Sequence, residues 1–93
     1  MIDRRPFVQK LLKDRKDNLR VVSGNGTATW DLMSAGDNPG NFGFIGAMGQ
    51  AIPFALGLAK AQPEMRILLF TGDGDTLMSL GSIATIANHP VSN

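Results

Sequence analysis

The chain has 93 residues, of which 43% are hydrophobic and 18% charged, and this suits one small globular domain rather than a disordered tail or a fibre. Nine basic and eight acidic residues leave a net charge of +1, which gives no field to draw nucleic acid or anionic lipid, and the absence of cysteine excludes a disulfide scaffold or a thiolate metal site. The opening segment lacks the apolar core of a signal peptide, and no apolar run nears the roughly 20 residues of a membrane span, so a cytoplasmic, membrane-free protein is expected.

The first predicted element is an amphipathic helix within residues 1–18, with Phe7, Val8, Leu11 and Leu12 at helical spacing and Lys10, Lys13, Asp14 and Lys16 on the other side. Those lysines read as a solvated face rather than a binding patch. Leu19 to Ser23 reads as a short strand, broken by Gly24-Asn25-Gly26, and Thr27 is expected to cap a helix through Trp30, Leu32 and Met33. Turn formers from Gly36 to Asn41 end that helix, and Phe42 to Ile45 is a brief extended piece.

From Ala47 to Ala61 the alanine- and leucine-rich stretch predicts one largely buried helix, and Gly49 and Gly57 within it predict close contact with another backbone or ligand. Arg66 to Thr71 is a continuous apolar run, expected as a central strand of a parallel sheet covered on both faces. It leads into Gly72-Asp73-Gly74-Asp75 and a further apolar helix starting near Thr76, which ends at Asn88-His89-Pro90. The alternation predicts an α/β three-layer sandwich with a parallel sheet, forming one domain over 1–93. Asn93 falls where another strand is due, so the sheet is expected to be incomplete at the C-terminus.

The turn Gly72-Asp73-Gly74-Asp75 is the sharpest chemical feature. Glycines on both sides of a carboxylate at a strand end remove bulk, letting backbone amides approach phosphate while Asp73 offers a hard oxygen to Mg²⁺. Together with Gly46-Ala47-Met48-Gly49-Gln50-Ala51-Ile52-Pro53 and RILLFTGDG, it resembles the diphosphate-binding domain of thiamine diphosphate enzymes over roughly Val21 to Asn93. The likeness is strongest to the decarboxylases of sulfopyruvate and phosphonopyruvate, with acetolactate synthase more distant.

That resemblance implies the thiamine diphosphate-binding fold and roles for particular residues. Asp73 ligates Mg²⁺; Gly72, Gly74 and Asp75 form the diphosphate turn through their backbone; Gly46, Ala47 and Met48 meet the aminopyrimidine, with Met48 wedged under the bent cofactor. Asn25, Gly26 and Thr27 line the diphosphate more loosely. Serine often follows GDG in the family, so Asp75 sets a second negative charge beside the diphosphate unless its side chain turns away. The family's second metal ligand, an asparagine more than twenty residues after GDG, has no match here, because Asn93 lies too close to Asp73.

No catalytic side chain is assigned. The only glutamate, Glu64, does not match the family's cofactor-activating glutamate, so a partner subunit bearing a pyrimidine-binding domain is expected to supply it in a homo- or hetero-oligomer acting on a small 2-oxo acid. The chain alone is then expected to be inactive. Other readings are a non-catalytic regulatory domain of the same fold and an acetolactate synthase-like carboligase. Asp73 to Leu77 also resembles the haloacid dehalogenase motif, but with its threonine one residue out of place. Gly24-x-Gly26-x-x-Thr29 lacks the third glycine of a dinucleotide fingerprint. Trp30, Met33, Met65 and Met78 are expected as core or interface filling, and His89 as a helix C-terminal cap.

Overall fold

The computed structural model describes all 93 residues. Its elements in chain order are α1 (Arg4–Leu12), β1 (Leu19–Ser23), α2 (Thr27–Met33), β2 (Asn41–Gly43), α3 (Ala51–Ala61), β3 (Arg66–Phe70), α4 (Asp73–Met78) and α5 (Leu80–Asn88). The sheet is parallel, in the order β2-β1-β3, with Val22 between Phe42 and Leu69 and Val21 between Asn41 and Leu68.

Strand periodicity sends Val21 and Val22 to opposite faces, and both are buried because each face carries helices. On one face Val21 packs with Val8 and Leu12 of α1 and Leu32 of α2; on the other Val22 packs with Ala51 and Ala55 of α3. The three-layer α/β sandwich is therefore present. Ala51, Ala55 and Ala59 recur every fourth residue and are all buried, so the small side chains form the stripe by which α3 lies on the sheet.

Several local expectations are corrected. Of the three strands, β1 is the middle one, with β3 beside it. Apolarity marks strand faces as covered but says nothing about lateral neighbours, and beyond β3 the only ladder bond is from Ile67 N–H to the Asn93 carbonyl at 2.9 Å. Asn93 also donates its side-chain amide to the carbonyls of Ala59, Gln62 and Met65, tying the end of α3 to the start of β3.

The third helix starts at Ala51 rather than Ala47, because Gly46 and Gly49 have φ of +87° and +85°, values that interrupt a right-handed helix. A Cβ at Gly57 would meet nothing within 4 Å, so no other backbone of this chain approaches it closely. Thr27 makes no capping bond; it is the first residue of α2, and Gly26 occupies the cap position with φ +90°. The helix after GDG starts at Asp73, three residues earlier than Thr76, and breaks at Ser79 into α4 and α5. Trp30, Met33 and Met78 are exposed, which removes the core half of the core-or-interface expectation for them. No helix is long and apolar enough to cross a membrane.

Candidate functional site

The chain leaves β1 for α2 on the face shared with α1, and leaves β3 for α4 and α5 on the face shared with α3. The carboxyl ends of β1 and β3 therefore flank a topological switch point, the crevice in which open α/β sheets bind ligands. Three turns meet there: Gly24-Asn25-Gly26 after β1, Phe44 to Gln50 after β2, and Thr71-Gly72-Asp73-Gly74 after β3. Every site residue expected from the sequence lies in these turns or in the first turn of the helix that follows.

Side chains lock the turns together. Gly24 N–H bonds the Phe70 carbonyl at 2.7 Å, and Gly46 N–H bonds Asn25 Oδ1 at 2.6 Å. Beneath them Thr29, 3% exposed, places its hydroxyl within hydrogen-bonding distance of Ser23 Oγ and of the Gly24 and Phe44 carbonyls, at 2.8, 2.9 and 3.1 Å. The missing third glycine of the apparent dinucleotide fingerprint is thus a buried polar tie between the first and second turns.

Asp75 is tucked between the three turns rather than exposed in the crevice. Its side chain is buried and accepts hydrogen bonds from Asn25 N–H and Thr71 Oγ1, both at 3.1 Å, and from Gly49 N–H. Its oxygens are taken up by these donors, so its backbone is the part left free to meet a ligand. Sequence reading missed Thr71, Thr29 and the carboxylate role of Asp75, because ordinary hydroxyls and turn residues carry no sequence mark of long-range bonding.

Asp73, by contrast, is exposed at the start of α4, with one oxygen accepting from Gly74 N–H at 2.8 Å and no cation paired to it. No cluster of three or more acidic, histidine or cysteine side chains surrounds it. A Cβ at Gly74 would stand 3.3 Å from Met48 Cε, which puts the Met48 turn against the Gly72–Gly74 turn. The carbonyl of Gly46, the amide and carbonyl of Met48 and the amide of Gly26 make no hydrogen bond within the chain.

These features fit a phosphorylated, metal-bound group. The turn lacks side-chain bulk at Gly72, where a Cβ would meet nothing within 4 Å; a free carboxylate projects beside it; and the nearby backbone groups are unpaired. The remaining titratable features lie elsewhere. Arg4 and Arg5 pair with buried Asp31 at 3.0 and 3.3 Å, and the Arg15 guanidinium, at the far end of the sheet, is lowered from its ordinary value by burial and then by Arg20.

Residues 24–92 match the thiamine pyrophosphate enzyme, C-terminal TPP binding domain. Phosphonopyruvate decarboxylase from Streptomyces hygroscopicus is 36% identical over 86 residues, which is 92% of this chain and 21% of that protein. Sulfopyruvate decarboxylase subunit beta from Methanothermobacter thermautotrophicus is 34% identical over 93 residues, covering 100% of this chain and 49% of the relative. Acetolactate synthase isozyme 1 large subunit from Escherichia coli is 38% identical over 47 residues, 50% of this chain and 8% of that protein. The chain thus spans half the length of these relatives or less. By the extent of the family match, it belongs to the C-terminal TPP binding domains of thiamine pyrophosphate enzymes.

Proposed function

We propose that this chain is the Mg²⁺–thiamine diphosphate-binding part, over 1–93, of a decarboxylase acting on a small 2-oxo acid. The observation that carries the reading is the exposed Asp73 carboxylate at the crevice, paired with no cation and adjacent to Gly74, which faces the Met48 side chain. Asp73 would ligate Mg²⁺, and its solitude means that other ligands come from phosphate, water or residues outside this set. Octahedral Mg²⁺ commonly keeps such a mixed shell.

Gly72, Gly74 and Asp75 would meet the diphosphate through their backbone, with the Gly74 amide exchanging its bond to Asp73 for one to phosphate. Asn25, Gly26 and Thr27 would border it from the β1 side; of these, Asn25 spends its side-chain oxygen on Gly46 and its amide on Asp75, leaving the Gly26 and Thr27 amides free. The unpaired Gly46 carbonyl and Met48 backbone would bind the aminopyrimidine, with Ala47 between them and the Met48 side chain supporting the cofactor. When bound, thiamine diphosphate supplies the electron sink for loss of CO₂.

The activating carboxylic acid would come from a pyrimidine-binding domain on a partner subunit, because Glu64 is exposed in the loop before β3, away from these turns. Two features support assembly. One relative of similar sequence is named a beta subunit, and Leu77, Met78, Leu80 and Ile83 leave α4 and α5 with an uncovered apolar face. A carboligase of the acetolactate synthase kind is the second reading, favoured by the Escherichia coli relative, although that match covers half of the chain where the decarboxylases match 83% or more. A cytoplasmic location is part of this proposal.

The test is reconstitution with a pyrimidine-domain subunit, supplied with Mg²⁺, thiamine diphosphate and a panel of 2-oxo acids. CO₂ release with a matching yield of free aldehyde, needing both subunits, supports the decarboxylase; CO₂ release with carbon–carbon ligation and no net aldehyde supports the second reading. A complex that shows neither, and no thermal shift with the cofactor, contradicts both and fits a non-catalytic domain.

A further inference from the structure

Asp75 stands where the resemblance leads one to expect a small neutral residue, yet it is 5% exposed and no cation lies within ion-pairing distance of it. Its charge is met by donors alone, and each comes from a different turn: Asn25 N–H after β1, Gly49 N–H after β2, and Thr71 Oγ1 after β3. A carboxylate accepts several such bonds at once, whereas a hydroxyl or an amide oxygen cannot serve all three.

Gly24 makes room for this arrangement. A Cβ there would come within 2.1 Å of Asp75 Oδ2, although the Gly24 backbone itself needs no glycine-only conformation. The absent side chain at residue 24 is therefore matched to the carboxylate at residue 75, far along the chain.

We infer that Asp75 is a positioning residue: its carboxylate clasps the three turns so that the Gly46–Met48 segment is held over the Gly72–Gly74 turn before any ligand arrives. The inference rests on the thiamine diphosphate reading for what is positioned, and on geometry for the clasp itself. Gly49 is the critical donor, since it directly follows Met48, and fixing its amide fixes where the unpaired Met48 backbone points. Preorganised groups bind without the entropic cost of ordering loops.

The experiment compares wild type, Asp75→Ser, Gly24→Ala, the double variant and a core control, Leu12→Ala, as full chains assembled with the pyrimidine-domain subunit. Calorimetry gives the Mg²⁺–thiamine diphosphate affinity. Amide NMR of the chain gives the Asn25 and Gly49 proton shifts, and thermal melts give stability. Asp75→Ser is expected to weaken cofactor binding by about tenfold or more and to move both amide resonances upfield, as lost charge-assisted bonds require. Leu12→Ala, which lowers stability through a cavity remote from the turns, is expected to leave the affinity within about twofold.

Gly24→Ala is expected to be damaging with Asp75 in place and much less so in the Asp75→Ser background, where the shorter side chain removes the 2.1 Å overlap and leaves the 3.0 Å contact with Thr71 Oγ1. Unchanged affinity in Asp75→Ser, or equal effects of Gly24→Ala in the two backgrounds, would overturn the proposal. Failure of wild type to bind the cofactor would instead sink the thiamine diphosphate reading, and the amide shifts and the melts would still judge the clasp.

Discussion

Met48 reaches across the crevice to residue 74, its Cε lying 3.3 Å from where a Gly74 Cβ would stand, so the turns after β2 and β3 meet where one residue has no side chain. Substituting Gly74→Ala asks only the flexible end of Met48 to move, so stability should change by no more than about 0.5 kcal/mol. Cofactor affinity should nonetheless fall, because the added carbon enters the diphosphate turn. Paired melts and calorimetry check the two halves of this expectation.

Gly49→Ala should behave in the opposite way. Residue 49 has φ +85°, and a Cβ there would lie 3.0 Å from Met78 Cβ, a backbone-anchored atom with little freedom. Left-handed strain and overlap together should cost about 2 kcal/mol or more, a fall in Tm of roughly 10 °C for a domain of this size.

Thr29→Val keeps the shape of the side chain and deletes its hydroxyl. The Ser23 hydroxyl and the Gly24 and Phe44 carbonyls lose a shared partner in a buried place, which should cost about 1–3 kcal/mol in denaturant unfolding. Thr29→Ser, which retains the hydroxyl, should recover most of it.

The ion pairs at the N-terminal helix predict an asymmetry. Asp31 is 4% exposed while Arg4 and Arg5 are 67% and 57% exposed, so removing both arginines strands a desolvated carboxylate, whereas removing Asp31 returns two arginines to water. The double Arg4→Ala/Arg5→Ala variant should lose about 3 kcal/mol, and Asp31→Ala clearly less. Unfolding midpoints for the two variants decide it.

Much of this architecture is legible in the sequence because strand and helix periods are local. Of the four apolar residues expected on one side of α1, Val8 and Leu12 are buried while Phe7 and Leu11 stay exposed, and RILLF announces a strand followed by a turn. The GDG and Gly46–Gly49 segments identify the crevice because each needs several residues of fixed type in order. What stays hidden depends on contacts across the chain. The flank that β3 presents, the inward turn of Asp75 and the bonds of Thr29 are set by partners distant in sequence. The start of α3 at Ala51 is obscured for a related reason: alanine and leucine favour a helix, but two positive-φ glycines override them.

The most direct test of the account is calorimetric titration of thiamine diphosphate into the assembled complex, with and without Mg²⁺, for wild type and Asp73→Ala. Because the Asp73 side chain is exposed, the variant should melt within about 0.5 kcal/mol of wild type yet lose at least about tenfold in Mg²⁺-dependent affinity. Equal Mg²⁺-dependent affinity in the two proteins would contradict the assignment of Asp73 as the metal-bearing residue.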